Sequence, residues 1–462
     1  MNKDNSKNTS VRSDNQASAM NNVAASQPDI LIVGAGLFGL TMAERLVHNS
    51  GKKVLLIDKR NHLGGNCYSE FDAETGIECH KYGAHLFHTS DERVWQYVNR
   101  FTKFTNYVHK VYTTHNDEVF PLPINLSTIN QFFHAAYTPD EAKVKIAEQA
   151  ASAPAEPQNL AEQGISLIGQ PLFDAFIKNY TAKQWQTPAE ELSPDIIKRL
   201  PVRYNYDNRY FNNKYEGLPV DGYAAWFDNI VKSCQSSLEI RLETDYFTDP
   251  AIQKLRAAKI LTIFTGPIDQ FYQYQFGELK WRSLDLRKEV LDVSDFQGCP
   301  VMNYADLEPK YTRIHEFKHF HPERQNSQPS NNLDDSNNYK DARSDDYNEN
   351  DNTDHHNSAE TSSNLMSSRQ PWLRDGRNYY AENSGKSVIV REYSKTWHRG
   401  EEPYYPVNTA DDREKLAQYQ ALGRAEANVI FGGRLGEYAY YDMDKTIASA
   451  LACYDSLKTK LN

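Results

Sequence analysis

The chain has few cysteines, no long apolar run and no excess of positive charge. Its five cysteines, an odd number without a C-x-x-C pair, favour a reducing compartment over a disulfide framework, so we expect a cytoplasmic protein. No run approaches the roughly 18 apolar residues of a membrane-spanning helix, and the first 28 residues resemble neither a signal peptide nor a membrane anchor. The net charge of −11 argues against nucleic acid as a partner.

Two segments lack the apolar residues that a packed core needs. Residues 1–28 are rich in Asn and Ser, and residues 325–370 carry nine acidic against three basic residues. Such compositions cannot bury enough surface to offset the entropy that is lost on ordering. We therefore expect a disordered tail at 1–28 and a disordered acidic insertion at 325–370.

A glycine-rich turn follows the first apolar run. The pattern predicts a strand over 30–33, the turn Gly34-Ala-Gly36-Leu-Phe-Gly39, a helix over 37–47 and a second strand over 54–57. Gly34 permits a tight turn, Gly36 lets the backbone approach a pyrophosphate, and Gly39 lets the helix pack closely. Asp58 ends the second strand 22 residues after Gly36, where a carboxylate can bind ribose hydroxyls. This is the opening of a dinucleotide-binding domain.

Further glycines favour FAD over NAD as the dinucleotide. Gly64-Gly65-Asn66 follows the second strand, as is typical of amine-oxidase-like FAD proteins. Near the C-terminus, Gly432-Gly433-Arg434-Leu-Gly436 precedes a helix start at Asp442-Met443 that could present amides to the flavin.

The rest of the chain divides by pattern. Helical spacing dominates 125–200, aromatic and β-branched residues dominate 204–223 and 276–320, and 259–266 reads as a buried strand that returns to the nucleotide domain. The expected fold is α/β, with a discontinuous Rossmann-like FAD domain, an inserted helical domain and a twisted antiparallel β-sheet domain. The expected boundaries are 29–100, 222–270 and 411–462 for the FAD domain, 101–200 for the helical domain, and 201–221, 271–324 and 371–410 for the sheet domain.

Several strings resemble the UDP-galactopyranose mutases of the bacterial type. They are Cys79-His-Lys-Tyr-Gly83-Ala-His85-Leu-Phe-His88, Lys183-Gln-Trp185, Arg313-Ile-His-Glu-Phe, Arg391-Glu-Tyr-Ser and Glu402-Pro-Tyr404-Tyr405. The resemblance runs from about residue 29 to the C-terminus and spares only the tail and the insertion. It implies a flavin-dependent isomerase, commonly a homodimer, that interconverts UDP-galactopyranose and UDP-galactofuranose and supplies galactofuranose for cell-surface polysaccharide.

The resemblance also implies a mechanism without net redox change. N5 of reduced FAD acts as the nucleophile on the anomeric carbon, so reduced FAD is the active form and an external reductant such as NAD(P)H is a partner. The cofactor-binding residues we assign are Gly34, Gly36, Phe38, Gly39, Asp58, Lys59, Gly65, Asn66, His85, Gly266, Arg434, Asp442 and Met443.

Carried over residue by residue, the resemblance implies a substrate site. Arg199 and Arg313 match a diphosphate clamp, and His88, with His85, matches a histidine near the flavin. Trp185 matches a tryptophan on a mobile substrate loop. The other substrate-binding matches are the phosphate-binding tyrosines Tyr180, Tyr210, Tyr405 and Tyr440, the uridine-site residues Phe176 and Thr181, and the substrate contact Asn303.

Three other interpretations fit parts of the sequence. An FAD amine oxidase would share the nucleotide fold, and a carrier of the GDP-dissociation-inhibitor kind would share it without catalysis. A zinc site at His315, His319 and His321 lacks a cysteine or carboxylate cluster to complete it, so we expect no metal.

Overall fold

The computed structural model describes residues 27–198, 200–326, 373–374 and 377–461. Arg199 lies outside the described residues, as do the expected tail up to residue 26 and the expected insertion from residue 327 onward. Residues 325 and 326, which we expected within the insertion, form the end of a short helix. Across the described ranges, no helix has both the length and the apolar content to cross a membrane.

Eighteen strands are described. In chain order they are β1 (Ile30–Val33), β2 (Val54–Ile57), β3 (Ser69–Phe71), β4 (Glu78–His80), β5 (Phe87–Thr89), β6 (Val111–His115), β7 (Glu118–Leu122), β8 (Tyr215–Gly217), β9 (Leu238–Arg241), β10 (Leu261–Phe264), β11 (Trp281–Leu291), β12 (Val301–Tyr304), β13 (Arg313–Glu316), β14 (Leu373–Arg374), β15 (Arg377–Asn378), β16 (Ser387–Thr396), β17 (Tyr405–Pro406) and β18 (Val429–Phe431).

Fifteen α-helices are described. They are α1 (Leu37–Ser50), α2 (Glu92–Val98), α3 (Leu126–Phe132), α4 (Pro139–Ala150), α5 (Leu160–Ile168), α6 (Gln170–Phe173), α7 (Asn179–Trp185), α8 (Tyr223–Ser233), α9 (Pro250–Ala257), α10 (Ile268–Phe271), α11 (Glu323–Asn326), α12 (Tyr379–Glu382), α13 (Ala410–Ala425), α14 (Gly433–Gly436) and α15 (Met443–Leu461). A π-helical turn, Asp174–Lys178, separates α6 from α7.

A five-stranded parallel sheet in the order β18-β10-β1-β2-β9 forms the nucleotide-binding half. Its central strand is apolar throughout because both faces are covered. Ile30 and Ile32 pack into the core that contains α1, α8 and α15, while Leu31 packs on the opposite face with Ile252 of α9. The predicted strands 30–33 and 54–57 are confirmed, and the predicted strand within 259–266 is β10.

A seven-stranded sheet in the order β17-β11-β16-β13-β12-β6-β7 supports the substrate residues. Five of its six strand pairs are antiparallel and the β12–β6 pair is parallel, so the expected antiparallel sheet is confirmed except at that pair. β6 and β7 lie within 101–200, where we expected a helical domain. Val111 and Thr113 alternate with more exposed neighbours along β6, the pattern of a half-buried strand.

The segment 201–221 does not join this sheet, contrary to our prediction. Only Tyr215–Gly217 is a strand there, and it pairs with β5. Side chains hold the preceding residues in turns, since Asn205 accepts a hydrogen bond from the amide of Asp207, and Asp207 accepts one from the amide of Arg209. Near the C-terminus, α13 ends at Ala425 and the chain continues into the edge strand β18, where β-branched side chains favour a strand.

Candidate active site

Two glycine loops face each other at the start of α1. Gly34 has a positive φ of 104°, and a Cβ there would lie 2.0 Å from Oγ1 of Thr265. A Cβ on Gly39 would lie 1.9 Å from the carbonyl oxygen of Gly34, and one on Gly65 would lie 3.1 Å from Cα of Gly36. No side chain caps the helix N-terminus at Gly36. The cradle of bare backbone fits the diphosphate of a dinucleotide, which is bound by amides and needs close approach.

The acid that ends β2 is tied to the same turn. Oδ2 of Asp58 accepts a 2.7 Å hydrogen bond from the amide of Ala35, and Oδ1 accepts one of 2.9 Å from the amide of Arg60. Each carboxylate oxygen keeps a second lone pair that can accept a ribose hydroxyl. Nearby, Arg60 donates a 2.8 Å hydrogen bond to Asn66, and Lys59 is an exposed residue 3.8 Å from a carboxylate oxygen of Glu402.

The C-terminal glycines pack against this turn. Phe38 is 2% exposed, and a Cβ on Gly432 would lie 2.2 Å from its ring, so the glycine makes room for the phenylalanine. Likewise, a Cβ on Gly266 would lie 2.8 Å from the ring of Phe264. Arg434 donates hydrogen bonds to the carbonyls of Pro403, at 2.9 Å, and Tyr404, which joins the glycine turn to β17.

The start of α15 faces the same region. Met443 is buried and begins the helix, and the preceding residue, Asp442, is exposed and accepts a 3.0 Å hydrogen bond from the amide of Thr446 through its carbonyl. The two glycine loops, Asp58 and the start of α15 therefore lie beside the nucleotide sheet, although the side chains of Phe38 and Met443 are buried in the protein core.

The structure brings Arg313 together with all four predicted tyrosines. Its guanidinium donates a hydrogen bond to the hydroxyl of Tyr180, and Tyr210, Tyr405 and Tyr440 lie within electrostatic range. The rings of Tyr405 and Tyr440 stack with centroids 5.9 Å apart. Burial raises the pKa of Tyr180 and of Tyr405, so both remain neutral hydrogen-bond donors at neutral pH.

Asn303, Arg313 and Glu392 form a row across three strands. Asn303 is the register partner of Arg313 in β12–β13, and Arg313 is the partner of Glu392 in β13–β16, so their side chains share one face. Oδ1 of Asn303 is buried and has no hydrogen-bond partner among the described residues. A buried acceptor beside a guanidinium is suited to a ligand that donates hydrogen bonds.

We did not predict Glu392, although it lies in one of the strings we quoted. Its Oε1 is 3.3 Å from Nε of Arg313, and its Oε2 is 3.1 Å from Nε2 of His315. Burial opposes its charge, but Arg313 and then His315 hold the pKa of Glu392 at about 2. Conversely, burial disfavours the guanidinium charge, and Glu392 raises the pKa of Arg313. Glu392 lies two residues after the buried apolar run Val388-Ile389-Val390 of the same strand, and an acidic residue so close to such a run was the available signal.

Of the two predicted histidines, His85 lies just before β5 and His88 lies within it. Burial lowers the pKa of His85 to about 4, so its ring is neutral, and Nδ1 donates a 2.8 Å hydrogen bond to the carbonyl of Gly83. This leaves Nε2 as an acceptor. His88 stacks on Phe211 with ring centroids 3.7 Å apart, and its Nδ1 lies 3.0 Å from Oδ1 of Asn213.

The predicted uridine residues belong to the helical core. Phe176 lies in the π-helical turn, is 4% exposed and packs against Phe120 and Phe132, while Thr181 is buried on α7. Trp185 is the last residue of α7 and packs at the edge of the same core. Trp185 therefore ends a helix rather than lying in a loop, and its role on a mobile substrate segment stays a prediction.

The three histidines that invite a zinc interpretation have different carboxylate partners. His315 contacts Glu392, and His321 lies 3.3 Å from Glu78. Contrary to our prediction, carboxylates do accompany His319, because Asp295 and Glu316 offer oxygens within 4.8 Å of its ring nitrogen and of each other. Both oxygens of Glu316 already accept backbone amide hydrogen bonds, from residues 296 and 297, so the trio is satisfied as an ion-pair cluster.

Comparisons with known proteins point to one enzyme family. A family model described as UDP-galactopyranose mutase matches residues 175–377 and 343–440, and one described as an NAD(P)-binding Rossmann-like domain matches residues 32–101. The chain is 38% identical over 427 residues to a Klebsiella pneumoniae protein named "Probable UDP-galactopyranose mutase", covering 92% of this chain and 94% of the relative.

A second relative differs in its named substrate. The chain is 34% identical over 426 residues to the dTDP-fucopyranose mutase of Escherichia coli, covering 92% of this chain and 97% of the relative. The crystal structure of a reduced UDP-galactopyranose mutase superposes with a TM-score of 0.65 over 94% of each chain at 14% identity, which shows the shared fold.

Proposed function

Because the chain belongs to the UDP-galactopyranose mutase family, and is thus an isomerase, we propose that it interconverts UDP-galactopyranose and UDP-galactofuranose with no net redox change. The observation that carries this proposal is the Arg313 guanidinium, which lies among four tyrosines and beside the buried Glu392. An oxidase that takes a proton and two electrons from an amine has no use for such a cluster, whereas a departing diphosphate needs one.

The dinucleotide of this proposal is FAD, active in its reduced form. Gly34, Gly36 and Gly65 would hold its diphosphate, Asp58 its ribose, and the amides at Met443 its ribityl chain. Reduced flavin supplies the nucleophile for the anomeric carbon when it is bound. Phe38 and Gly266 contribute shape rather than direct hydrogen bonds, since both pack within the protein.

The residues of the tyrosine cluster hold the leaving group. Arg313 stabilises the charge that grows on the diphosphate as the glycosidic bond breaks, and Tyr180 and Tyr405 donate neutral hydrogen bonds to it. Arg199 joins them by resemblance alone. Glu392 offsets part of the positive charge of Arg313, so UDP is held without being trapped and can attack the rearranged sugar.

Polar groups of His85 would hold a proton of the flavin when the cofactor is bound. The unprotonated Nε2 of His85 and its backbone can accept hydrogen bonds in a buried setting where water is excluded. His88 supports the same edge of the site from β5. Phe176, Thr181 and Trp185 would bind uridine once the helical segment closes on it.

Family membership supports the remaining assignments, which stay proposals. We place the enzyme in the cytoplasm as a homodimer, kept reduced by an external donor such as NAD(P)H, and feeding galactofuranose to cell-surface polysaccharide. The relative from Escherichia coli supports a second candidate, ring contraction of dTDP-fucopyranose, which uses the same chemistry on a different nucleotide sugar.

One assay separates these possibilities. Purified protein is incubated with UDP-galactofuranose or dTDP-fucofuranose, with and without dithionite, and the products are separated by chromatography. We expect conversion of the UDP sugar only in the reduced sample. Faster conversion of the dTDP sugar would favour the second candidate, and equal conversion in oxidised and reduced samples would contradict the mechanism. Production of hydrogen peroxide would favour an oxidase.

A further inference from the structure

Lys183 lies one turn after Tyr180 on α7, between Thr181 and Trp185. Its Nζ donates hydrogen bonds to three backbone carbonyls, those of Tyr304 at 2.7 Å, Pro309 at 3.0 Å and Tyr311 at 3.1 Å. An ammonium group has three donors. All three are therefore used by one loop of the protein.

That loop connects β12 to β13. Asn303 is in β12 just before the loop, and Arg313 is the first residue of β13 just after it. The three carbonyls that surround Lys183 thus lie between the two predicted substrate contacts of the seven-stranded sheet. Lys183 connects this hairpin to the helix that carries Tyr180 and Trp185.

The residues after Lys183 are also held on the sheet. The carbonyl of Gln184 accepts hydrogen bonds from Nε of Arg282, at 3.3 Å, and from the hydroxyl of Ser394. The side chain of Gln186 donates a 2.9 Å hydrogen bond to the carbonyl of Ser394. Arg282 is 5% exposed. The end of α7 is consequently bound to β11 and β16 as well as to the β12–β13 loop.

An ordinary surface lysine would be placed differently. Lys178, on the preceding turn, is half exposed and forms an i,i+4 ion pair with Asp174 at 3.5 Å. Among the described residues, no carboxylate lies within ion-pair distance of Nζ of Lys183, and its partners are neutral carbonyls. A half-buried ammonium that is bound only by backbone oxygens fixes the position of two chain segments relative to each other.

We propose that Lys183 is a positioning residue, which sets the spacing between the helix carrying Tyr180, Thr181 and Trp185 and the hairpin carrying Asn303 and Arg313. This inference rests on the proposed function, because it takes the uridine diphosphate part of the substrate as the ligand that both segments contact. Without Lys183 the two half-sites are no longer held at one distance, so the nucleotide is bound less tightly.

The test compares Lys183→Met with the matched control Lys178→Met, each purified with bound FAD. UDP affinity is measured by titration calorimetry on the oxidised proteins, which requires no turnover. We expect Lys183→Met to weaken UDP binding about tenfold or more, since loss of positioning alone can have effects of that size, and to raise KM more than it lowers kcat. Lys178→Met should remain within about twofold, as is usual for an exposed ion pair. Equal UDP affinity in both variants would overturn the proposal.

The conservative variant provides the rescue. Lys183→Arg keeps a positive charge and enough donors for the three carbonyls, so it should recover most of the lost affinity. If Lys183→Met fails to fold, which loss of FAD absorbance would reveal, Lys183→Arg is compared with wild type over a range of pH. Burial lowers the pKa of Lys183 to about 8, while Asp306 and Glu308 oppose this effect and Lys310 adds to it.

The expected sign follows from that lowered pKa. As pH rises through about 8, wild-type Lys183 loses a proton and one of its three donors, so UDP affinity should fall between pH 7 and 9.5. Lys183→Arg stays charged and should show a flat profile. A phosphate group completes its ionisation near pH 6, outside this window. Parallel profiles for the two proteins would contradict the inference.

A ligand-free measurement separates this inference from the proposed function. Hydrogen–deuterium exchange of the peptide that covers 179–186 should be faster in Lys183→Met than in Lys178→Met, with no nucleotide present. If wild-type protein bound no UDP, the proposed function would fail, and the exchange comparison would still decide the role of Lys183. Unchanged exchange would refute it.

Discussion

The side-chain amide of Asn378 donates a 2.6 Å hydrogen bond to the backbone carbonyl of Arg324. These residues precede and follow the segment 327–372, so the two ends of that segment meet at one buried position. Arg324 is 1% exposed and donates hydrogen bonds to Glu78 at 2.8 Å and to the carbonyl of Val220 at 2.9 Å. The junction is thus part of the packed fold.

Replacing 327–372 by a short Gly-Ser linker should leave a folded, FAD-binding and active enzyme. The ends are already held together, and the entropy of loop closure changes only slowly with loop length. We expect the melting temperature and kcat/KM to stay close to the wild-type values. The same deletion with Asn378→Ala should melt lower, because it removes the bond between the ends. A large loss of activity in the simple deletion would give the segment a direct role.

Arg313→Ala should nearly abolish turnover while the flavin spectrum stays intact. Loss of one preorganised group at the developing charge typically lowers kcat by about 10²–10³-fold. Arg313→Lys should be intermediate, since a single ammonium cannot contact Tyr180 and Glu392 as a guanidinium does. Steady-state kinetics and the flavin absorbance measure the two quantities. Release of FAD from the alanine variant would contradict this prediction, because it would show that Arg313 holds the cofactor rather than the substrate.

Glu392→Gln should lower kcat without weakening UDP binding. The substitution keeps the shape but removes the charge that offsets Arg313, so the guanidinium should retain UDP more strongly. The matched control is Glu289→Gln, which removes the partner of Arg391 in a partly exposed ion pair on the neighbouring strand. We expect Glu289→Gln to keep the wild-type kcat and the wild-type affinity for UDP, because exposed ion pairs contribute about 1 kcal/mol or less. Weaker UDP binding in Glu392→Gln would contradict the argument.

Tyr223→Phe should shift the reduction potential of the bound flavin while the protein stays folded. The Tyr223 hydroxyl donates a 2.9 Å hydrogen bond to the carbonyl of His85, and the amide of His85 donates one of 3.0 Å to Nδ1 of His80. Buried side chains therefore fix both the amide and the carbonyl of His85. Removing the hydroxyl should cost about 1 kcal/mol of folding stability and shift the reduction potential of the bound flavin.

The control for that variant is Tyr419→Phe. Tyr419 is also buried, and its hydroxyl donates a 2.7 Å hydrogen bond to the carbonyl of Gly277, away from the site. The two variants should lose similar stability, whereas only Tyr223→Phe should change the potential and the turnover rate. Identical potentials in both variants would show that the bond to His85 is structural only.

Local sequence patterns predicted the nucleotide half of the fold. The rest could not be predicted fully, because it depends on pairing between strands that are distant in sequence. The strand at Ile30 and the turn at Gly34 follow from neighbours in sequence, so they could be predicted. Glu392 contacts Arg313 only because two strands 79 positions apart pair in one register, which no local pattern records. Lys183 acts through backbone carbonyls, which carry no sequence signal at all. The strand at Val111 was assigned to the helical domain because it is short and lies next to a helical segment.

His319 should make the folding stability depend on pH in a predictable direction. Burial opposes its charge, but Glu316 and Asp295 raise its pKa above the ordinary value of 6.5. A raised folded pKa stabilises the protein fully below pH 6.5, and this contribution is lost as pH rises through the higher folded pKa. The melting temperature of wild type should therefore exceed that of His319→Gln most near pH 6, and this difference should shrink towards pH 9. The matched control is His134→Gln, which replaces an exposed histidine without an ion pair among the described residues. A difference that responded to EDTA rather than to pH would indicate a metal at the cluster of Asp295, Glu316 and His319.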